Sequence, residues 1–348
     1  MLAAMYYGKE RLEVVDVEER HPGPTEVKVR VGFNGICGSD LHEFYGGPVF
    51  VPVEAHPLTG HQLPLILGHE FSGTIVEMGS AVDGYKIGGR VTVEPIYRCG
   101  LCAPCVAGNY NVCRQIGFHG IMADGGMAEF SIVPVGMLHK LPDNVPLELG
   151  ALVEPMAVAY HAARFGEVGV GDTAMILGAG PIGIGLWFAL KGLGLEDITI
   201  VEPAHDRRKA SAALGAHVLD PSAQDVVGTV LDATAGRGIS AVFDASGARA
   251  AVETGIACLA SRSPLVSVAM YETPIETPLV QLILNETRIQ GSLGYTSEDF
   301  RAVLRLMEEE HYDPTGWVST IPISAVVEEG FEALRAGTKM KVLVDPAS

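Results

Sequence analysis

Basic residues are scarce in this chain. Its 348 residues hold 24 Lys and Arg against 42 Asp and Glu, a net charge of −18. Nucleic acid and anionic membranes both need a cationic face, so neither is expected as a partner. Cysteine is sparse too. Six residues are too few for a disulfide scaffold, and they suit a reducing compartment. The opening residues, Met1 to Val15, lack a basic segment followed by a long apolar one, so no secretory leader is expected. The one uncharged run long enough to question is Thr173–Leu190, 18 residues. It opens on a β-like Ala174-Met175-Ile176-Leu177 and carries Gly178, Gly180, Pro181, Gly183 and Gly185. That composition reads as strand, tight turn and buried helix rather than a membrane span. A soluble, cytoplasmic protein is expected. What the chain does have is apolar mass: 48% hydrophobic against 19% charged residues, enough for a large core. At this length two domains are expected.

Four cysteines, Cys99, Cys102, Cys105 and Cys113, fall within 15 residues as C-x2-C-x2-C-x7-C. Neighbours so spaced do not easily all pair as unstrained disulfides, but they can fold around one tetrahedral ion. Four thiolates close the shell of Zn²⁺ and leave no open position, which makes a structural zinc lobe over about 94–115. An iron–sulfur cluster takes the same ligands, and disulfides are the third reading. Gly100, Pro104 and Gly108 suit the tight loop. Cys258 lies in an apolar helix-like stretch, Ala250 to Ala260, and reads as an inert core residue.

The first 150 or so residues read as short strands with frequent Pro and Gly, including Val27–Val31, Gly73–Val76 and Arg90–Val93. From Thr173 the pattern alternates. Strands are expected at Thr173–Leu177, Ile198–Glu202, His217–Leu219, Ala241–Ala245, Pro264–Met270 and Arg288–Leu293, with helices between them. Six strands with crossovers make an α/β fold with a doubly wound parallel sheet. The tail holds a short helix, Val326 to Arg335, and a strand, Val342–Val344, that is expected to return to the first domain.

Gly178-Ala179-Gly180-Pro181-Ile182-Gly183 is G-x-G-x-x-G, following an apolar strand and opening a helix. Gly178 permits the turn, Gly180 lets backbone approach a pyrophosphate, and Gly183 lets helix and strand pack closely. The helix N-terminus offers N–H groups and a positive dipole end to phosphates. Glu202, 19 residues after Gly183, is placed to accept hydrogen bonds from the adenosine ribose and to repel a 2′-phosphate, which favours NAD over NADP. Arg207 and Arg208 are the counterweight, since a guanidinium there accommodates such a phosphate.

Cys37, His42, His69, Glu70 and Glu154 are scattered, and each alone has an ordinary reading as core thiol, satisfied imidazole or surface carboxylate. Chemistry joins them. Oxidation of an alcohol by hydride loss must stabilise an alkoxide, which a Lewis acid can do. A zinc with one thiolate, one imidazole and one carboxylate keeps a position for substrate.

Gly68-His69-Glu70-x-x-Gly73-x5-Gly79-x-x-Val82 resembles the zinc signature of the medium-chain alcohol and polyol dehydrogenases. So do Cys37-Gly38-Ser39-Asp40, the four-cysteine lobe, Leu152-Val153-Glu154-Pro155 and the Rossmann glycines, in the expected order along essentially the whole chain. Within that family, Gly47-Pro48-Val49-Phe50-Val51-Pro52, His56-Pro57-Leu58-Thr59-Gly60, Glu94-Pro95-Ile96-Tyr97, Gly108-Asn109-Tyr110-Asn111-Val112-Cys113 and Gly291-Ser292-Leu293-Gly294-Tyr295 are similar to the (R,R)-2,3-butanediol dehydrogenases. The resemblance implies a Rossmann domain (154–294) inserted in a GroES-like, mainly β catalytic domain (1–153 and 295–348), with the active site in the cleft. It implies a catalytic zinc on Cys37, His69 and Glu154, with Glu70 a direct or exchanging ligand, beside the structural zinc. It also implies a proton relay through Ser39 and His42, cofactor contacts from Pro181, Ile182, Arg207 and Leu293, and NAD(H)-linked interconversion of a vicinal diol and an α-hydroxyketone. Sorbitol, threonine or a simple alcohol are the rival substrates. A non-enzymatic NAD(H)-binding protein is the rival of another class. A homo-dimer or homo-tetramer is implied, seamed near Leu279 to Tyr295. Two departures stand out. Gly88-Gly89-Arg90-Val91 lacks the carboxylate of the family's usual Gly-Asp-Arg-Val, and Ala123–Glu129 is one glycine shorter than in many relatives.

Overall fold

Alternation builds the first unit. Glu26–Gly35 turns Val27, Val29 and Val31 inward and forms a ten-residue strand at the centre of its main sheet. A computed structural model gives the fold and describes residues 1–271 and 273–348. The first unit comprises Met1–Glu154, Thr296–Glu308 and Trp317–Ser348. Its seven-stranded sheet runs Leu138–Lys140, Arg90–Val93, Glu70–Met78, Glu26–Gly35, Lys341–Asp345, Val318–Pro322, and Phe130–Pro134 also pairs with Glu26–Gly35. Leu343 lies opposite Gly35 and Val344 opposite Asn34, so the C-terminal tail completes the N-terminal sheet. A three-stranded sheet (Arg11–Asp16, Leu2–Gly8, Leu65–Ile66) packs its own apolar cluster, which includes Tyr6, Leu65, Leu67 and Phe331.

The second unit comprises Pro155–Tyr295 and Glu309–Gly316. Its six strands are all parallel, in the order His217–Leu219, Asp197–Val201, Thr173–Leu177, Ala241–Asp244, Pro264–Ser267, Arg288–Gly291. That is the 3-2-1-4-5-6 order of the Rossmann fold. Parallel pairing forces helical crossovers, so both faces are covered and the strands read as unbroken apolar runs: Ala174 to Leu177 and Ala241 to Phe243 are all buried. The tail is not wholly part of the first unit, because 309–316 packs with the second. There the Tyr312 ring packs on Phe188 at a 38° tilt with ring centroids 4.9 Å apart. The tail's short helix winds as a π-helix over Val326–Glu332 before a last α-turn at Ala333–Arg335. Among the described residues no helix is long and apolar enough to cross a membrane.

Candidate active site and metal centres

The four clustered cysteines converge. Their sulfurs lie 3.5 Å apart for Cys99 and Cys113, 3.8 Å for Cys102 and Cys113, and 3.9 Å for Cys99 and Cys105. None is disulfide-bonded. Four sulfurs at Zn–S bond length on a tetrahedron stand about 3.8 Å from one another, so the cage fits one such ion. Backbone amides face the sulfurs: Cys102 and Leu101 donate to Cys99, and Cys99 and Gln115 donate to Cys113. The amides of Arg114 and Cys105 pull Cys102 down to about 6. Desolvation and the Cys102 sulfur push Cys105 up to about 12. A cage that stabilises some thiolates and strains others is what a cation would even out. Tyr110, inside the lobe, donates its single O–H to Glu94 at 2.6 Å and accepts from the Ser297 amide, with Ser297 Oγ 2.9 Å away, under the Arg98 guanidinium. Glu94 also accepts from His139 at 2.8 Å and Ser297 Oγ at 2.6 Å. Burial opposes its charge, and the hydrogen bonds from His139, Ser297 and Tyr110 outweigh that and hold it below the usual carboxylate range.

The scattered residues meet as well. Cys37 caps the helix Gly38–Gly46, and Glu70 opens the strand Glu70–Met78 with His69 just before it. Ligand atoms of Cys37, His69 and Glu70 all lie within 4.8 Å of one another. Glu154 lies outside that set, in the first turn of Val153–Phe165, but it is buried and its charge acts on both His69 and Lys341. Three buried polar atoms here have no hydrogen-bond partner: His69 Nδ1, Asp40 Oδ1 and Glu70 Oε1. Uncompensated donors and acceptors this deep are costly, and a soft thiolate, an imidazole and a carboxylate form a donor set suited to zinc. Burial works against a charged His69, but the charges of Asp40 and Cys37 hold its pKa well above the ordinary imidazole value. Asp40 Oδ1 faces His69 Nδ1 at 3.6 Å, the place of a carboxylate that orients a metal-bound imidazole. Burial lifts Asp40 to about 6. Ser39 Oγ sits 3.3 Å from His69 Nε2. His42 follows three residues later on the same helix face, half-buried.

Sequence reasoning quoted Asp40 only as part of a motif, and it passed over Lys341. Lys341 is buried, donates to Ile36 O at 2.9 Å and forms an ion pair with Glu70 Oε2. Its signal was a lysine at the head of the unbroken apolar run Val342-Leu343-Val344, all buried with it. Arg90 donates to the carbonyls of Pro142 and Val145. The loop Ala123–Glu129 lies against Leu65–Leu67: Asp124 accepts from Ile66, and Met127 donates to Leu67.

In the second unit the glycine turn follows Thr173–Leu177 and opens the helix Pro181–Gly192. Gly178 has φ +95°, and a Cβ on Gly183 would come within 1.9 Å of the Gly178 carbonyl oxygen, so only glycine permits this strand–helix approach. A Cβ on Gly180 would meet nothing within 4 Å, leaving an open face at the helix N-terminus where a pyrophosphate fits. Glu202 is 3% exposed and accepts from Ala179 and Ala204 amides at 2.7 Å each. That fixes its carboxylate at the turn with lone pairs left for a ligand. Arg208 is committed to Asp220 at 2.7 Å, while Arg207 is half-buried on the same helix. Leu293 is exposed just beyond Arg288–Gly291.

Two family models match the chain: "Alcohol dehydrogenase GroES-like domain" over 23–143 and "Zinc-binding dehydrogenase" over 181–309. The (R,R)-butanediol dehydrogenase of Bacillus subtilis is 38% identical over 99% of this chain and 100% of its own. The crystal structure of the 2R,3R-butanediol dehydrogenase from Bacillus subtilis superposes with a TM-score of 0.93 at 38% identity, covering 99% of each chain. A Saccharomyces cerevisiae protein named as a probable (R)-acetoin-forming diacetyl reductase is 35% identical over 100% of this chain and 88% of its own. A Sinorhizobium meliloti protein solved with NADP bound reaches a TM-score of 0.90 at 28% identity, with 99% of each chain covered. With a GroES-like unit that gathers Cys37, His69 and Glu70, a Rossmann unit with its glycine turn, and full-length likeness to such enzymes, this chain belongs to the zinc-binding medium-chain alcohol dehydrogenase family.

Proposed function

We propose that the enzyme interconverts a vicinal secondary diol and an α-hydroxyketone, (R,R)-2,3-butanediol and acetoin, with NAD(H). The observation that carries this is the buried Cys37–His69–Glu70 set in a chain whose full length matches a butanediol dehydrogenase. Two zinc ions per chain belong to the reading. The structural one is held by Cys99, Cys102, Cys105 and Cys113. The catalytic one is held by Cys37, His69 and Glu154, with Glu70 as a direct or exchanging ligand. A zinc held there supplies Lewis acidity that lowers the pKa of the substrate hydroxyl. Ser39 Oγ would take the substrate hydroxyl proton while giving up its own, and His42, three residues on along the same helix face, would pass a proton to solvent. A bound NAD⁺ would supply the hydride acceptor, so that oxidation of the carbinol to the carbonyl releases one proton and one hydride. The second oxygen of the diol orients it.

Gly178, Gly180, Pro181, Ile182 and Gly183 cradle the pyrophosphate, Glu202 takes the adenosine ribose, and Arg207 and Leu293 border the cofactor. NAD is favoured because a buried carboxylate fixed at the turn repels a 2′-phosphate and Arg208 is already paired. Initial rates with butanediol enantiomers, acetoin and sorbitol, in both coenzymes, test the proposal. Glu202→Ala is expected to cut the NAD-over-NADP preference about 10–100-fold, the scale of one lost charged hydrogen-bond pair. A wild type already faster with NADP would refute the role given to Glu202. Six cysteines, none in a disulfide, suit a cytoplasmic setting.

The proposed partner is a second copy of the chain, in a dimer or tetramer. Leu279, Val280, Ile283 and Leu284 are 65–77% exposed on Leu279–Asn285, which precedes the edge strand Arg288–Gly291. Ile283→Glu with Leu284→Glu should yield monomers in sedimentation; an unchanged assembly would place the seam elsewhere.

A further inference from the structure

A dinucleotide lies across the carboxyl ends of a parallel sheet, at the point where the strand order reverses. Here that point falls between Thr173–Leu177 and Ala241–Asp244. The glycine turn and Glu202 take one side of it. The nicotinamide half is left to the loops that leave Ala241–Asp244 and Pro264–Ser267 on the other. One residue fastens both loops. Asp244 is fully buried. Its Oδ1 accepts from the Ser246 amide at 3.0 Å and the Ser246 hydroxyl at 2.6 Å. Its carbonyl accepts from the Val268 and Ala269 amides at 3.0 and 3.2 Å. Its Oδ2 accepts from the Tyr271 hydroxyl at 2.7 Å, and that hydroxyl in turn meets Ser267 Oγ at 2.7 Å. Burial first, then the Asp244 carboxylate, push the phenol up to about 12, so its proton stays in place to be donated. The two loops also touch. Gly247 has φ +67°, and a Cβ there would stand 2.9 Å from the Met270 carbonyl oxygen. Ser246 packs on the glycine turn, with its Cβ 3.1 Å from where one on Gly178 would be. Ser267 carries the fastening onward: its carbonyl accepts from the Ser292 amide at 2.9 Å, one residue before Leu293.

We propose that Tyr271 is a positioning residue for the nicotinamide half of the coenzyme, its hydroxyl setting the spacing of 245–248 and 268–271 through Asp244. This rests on the reading of the second unit as the NAD(H) site. Without that hydroxyl, one oxygen of a buried carboxylate loses its partner. Such a group is costly to leave unpaired, so the loops shift to bring it a replacement. The adenosine half has its own support, the Glu202 carboxylate fixed by the Ala179 and Ala204 amides, and does not depend on the latch.

The test uses the full-length enzyme and two ligands. AMP reports the adenosine half alone, and NADH needs both halves. Tyr271→Phe is expected to leave the AMP Kd within about twofold and to raise the NADH Kd about 10-fold or more, the scale of one hydrogen bond to a charged group. Emission of the bound reduced nicotinamide should move toward that of free NADH. The primary isotope effect on kcat with a carbinol-deuterated diol should rise as hydride transfer slows. A purely structural loss would weaken AMP and NADH together. That result overturns the proposal, and so does a parent-like NADH Kd and emission. Should Tyr271→Phe fail to fold, the parent enzyme carries the test. NADH but not AMP should slow amide exchange in 245–248 and 268–271 together. Equal protection by AMP, or protection of neither loop by NADH, overturns the proposal. A parent that binds neither AMP nor NADH would bring down the NAD(H) reading itself. That result is distinct from the failure of Tyr271's role, in which the parent binds both.

Discussion

Cys37→Ser should lower kcat/KM for diol oxidation by about a thousandfold or more and reduce bound zinc from two equivalents to one. The scale follows from the work asked of the metal. Lewis-acid stabilisation of an alkoxide is worth several kcal/mol, and each 1.36 kcal/mol is about tenfold in rate. Serine keeps the shape but offers a hydroxyl with no thiolate. The remaining donors would be the His69 imidazole, with Asp40 3.6 Å from its Nδ1, the Glu154 carboxylate and a Glu70 already paired to Lys341, a set with no soft thiolate. Coenzyme binding should be nearly unchanged, because the glycine turn and Glu202 belong to the second unit. The check is metal content by mass spectrometry, initial rates, and NADH affinity by fluorescence on the same preparation. Full turnover with the site emptied would end the zinc mechanism.

The Rossmann half was legible almost strand by strand because its central strands, Thr173–Leu177, Asp197–Val201, Ala241–Asp244 and Pro264–Ser267, are largely buried and carry apolar runs between turns. Each expected strand is present, though Pro264–Met270 and Arg288–Leu293 end early, at Ser267 and Gly291. Strand ends are set by where partners stop pairing, which composition does not record. The first half was harder to read. The late helix Ser297–Glu308 was passed over although Phe300, Val303, Leu304 and Met307 stand at helical spacing behind an acidic first turn; the helix Gly38–Gly46 has a weaker pattern, and Val318–Pro322 pairs in the sheet with Lys341–Asp345. The metal residues were legible as motifs, not as a geometry: nothing local tells Cys37 that His69 will be near. Lys341 was missed for the same reason. Its partner is 271 residues away, and a buried lysine declares itself only when the carboxylate that compensates it is seen.

Losing the four-cysteine lobe should hurt the fold more than the chemistry. Cys105→Ser, or slow chelation that spares the catalytic site, is expected to release one zinc and lower Tm on the order of 10 °C. The 94–115 segment should become open to protease and amide exchange. Its only helical pieces are the four residues Ala103–Val106 and the three of Tyr110–Val112, too short to hold themselves. Leu101 and Val106 are exposed, so little apolar burial replaces the ion. Three of the sulfur pairs stand within 3.9 Å, and backbone amides hold Cys102 below the ordinary thiol range, so without an ion the cage crowds sulfurs that nothing neutralises. Because zinc displaces protons from thiols, release should also be faster in acid. The damage should then travel through Tyr110. Its hydroxyl joins the lobe to Glu94 and to Ser297 at the head of Ser297–Glu308, so exchange should rise in that helix as well. Tyr110→Phe should reproduce the rise in the helix while keeping both zinc ions. A Cys105→Ser protein with two zinc ions and an unshifted Tm would instead make these cysteines four ordinary thiols.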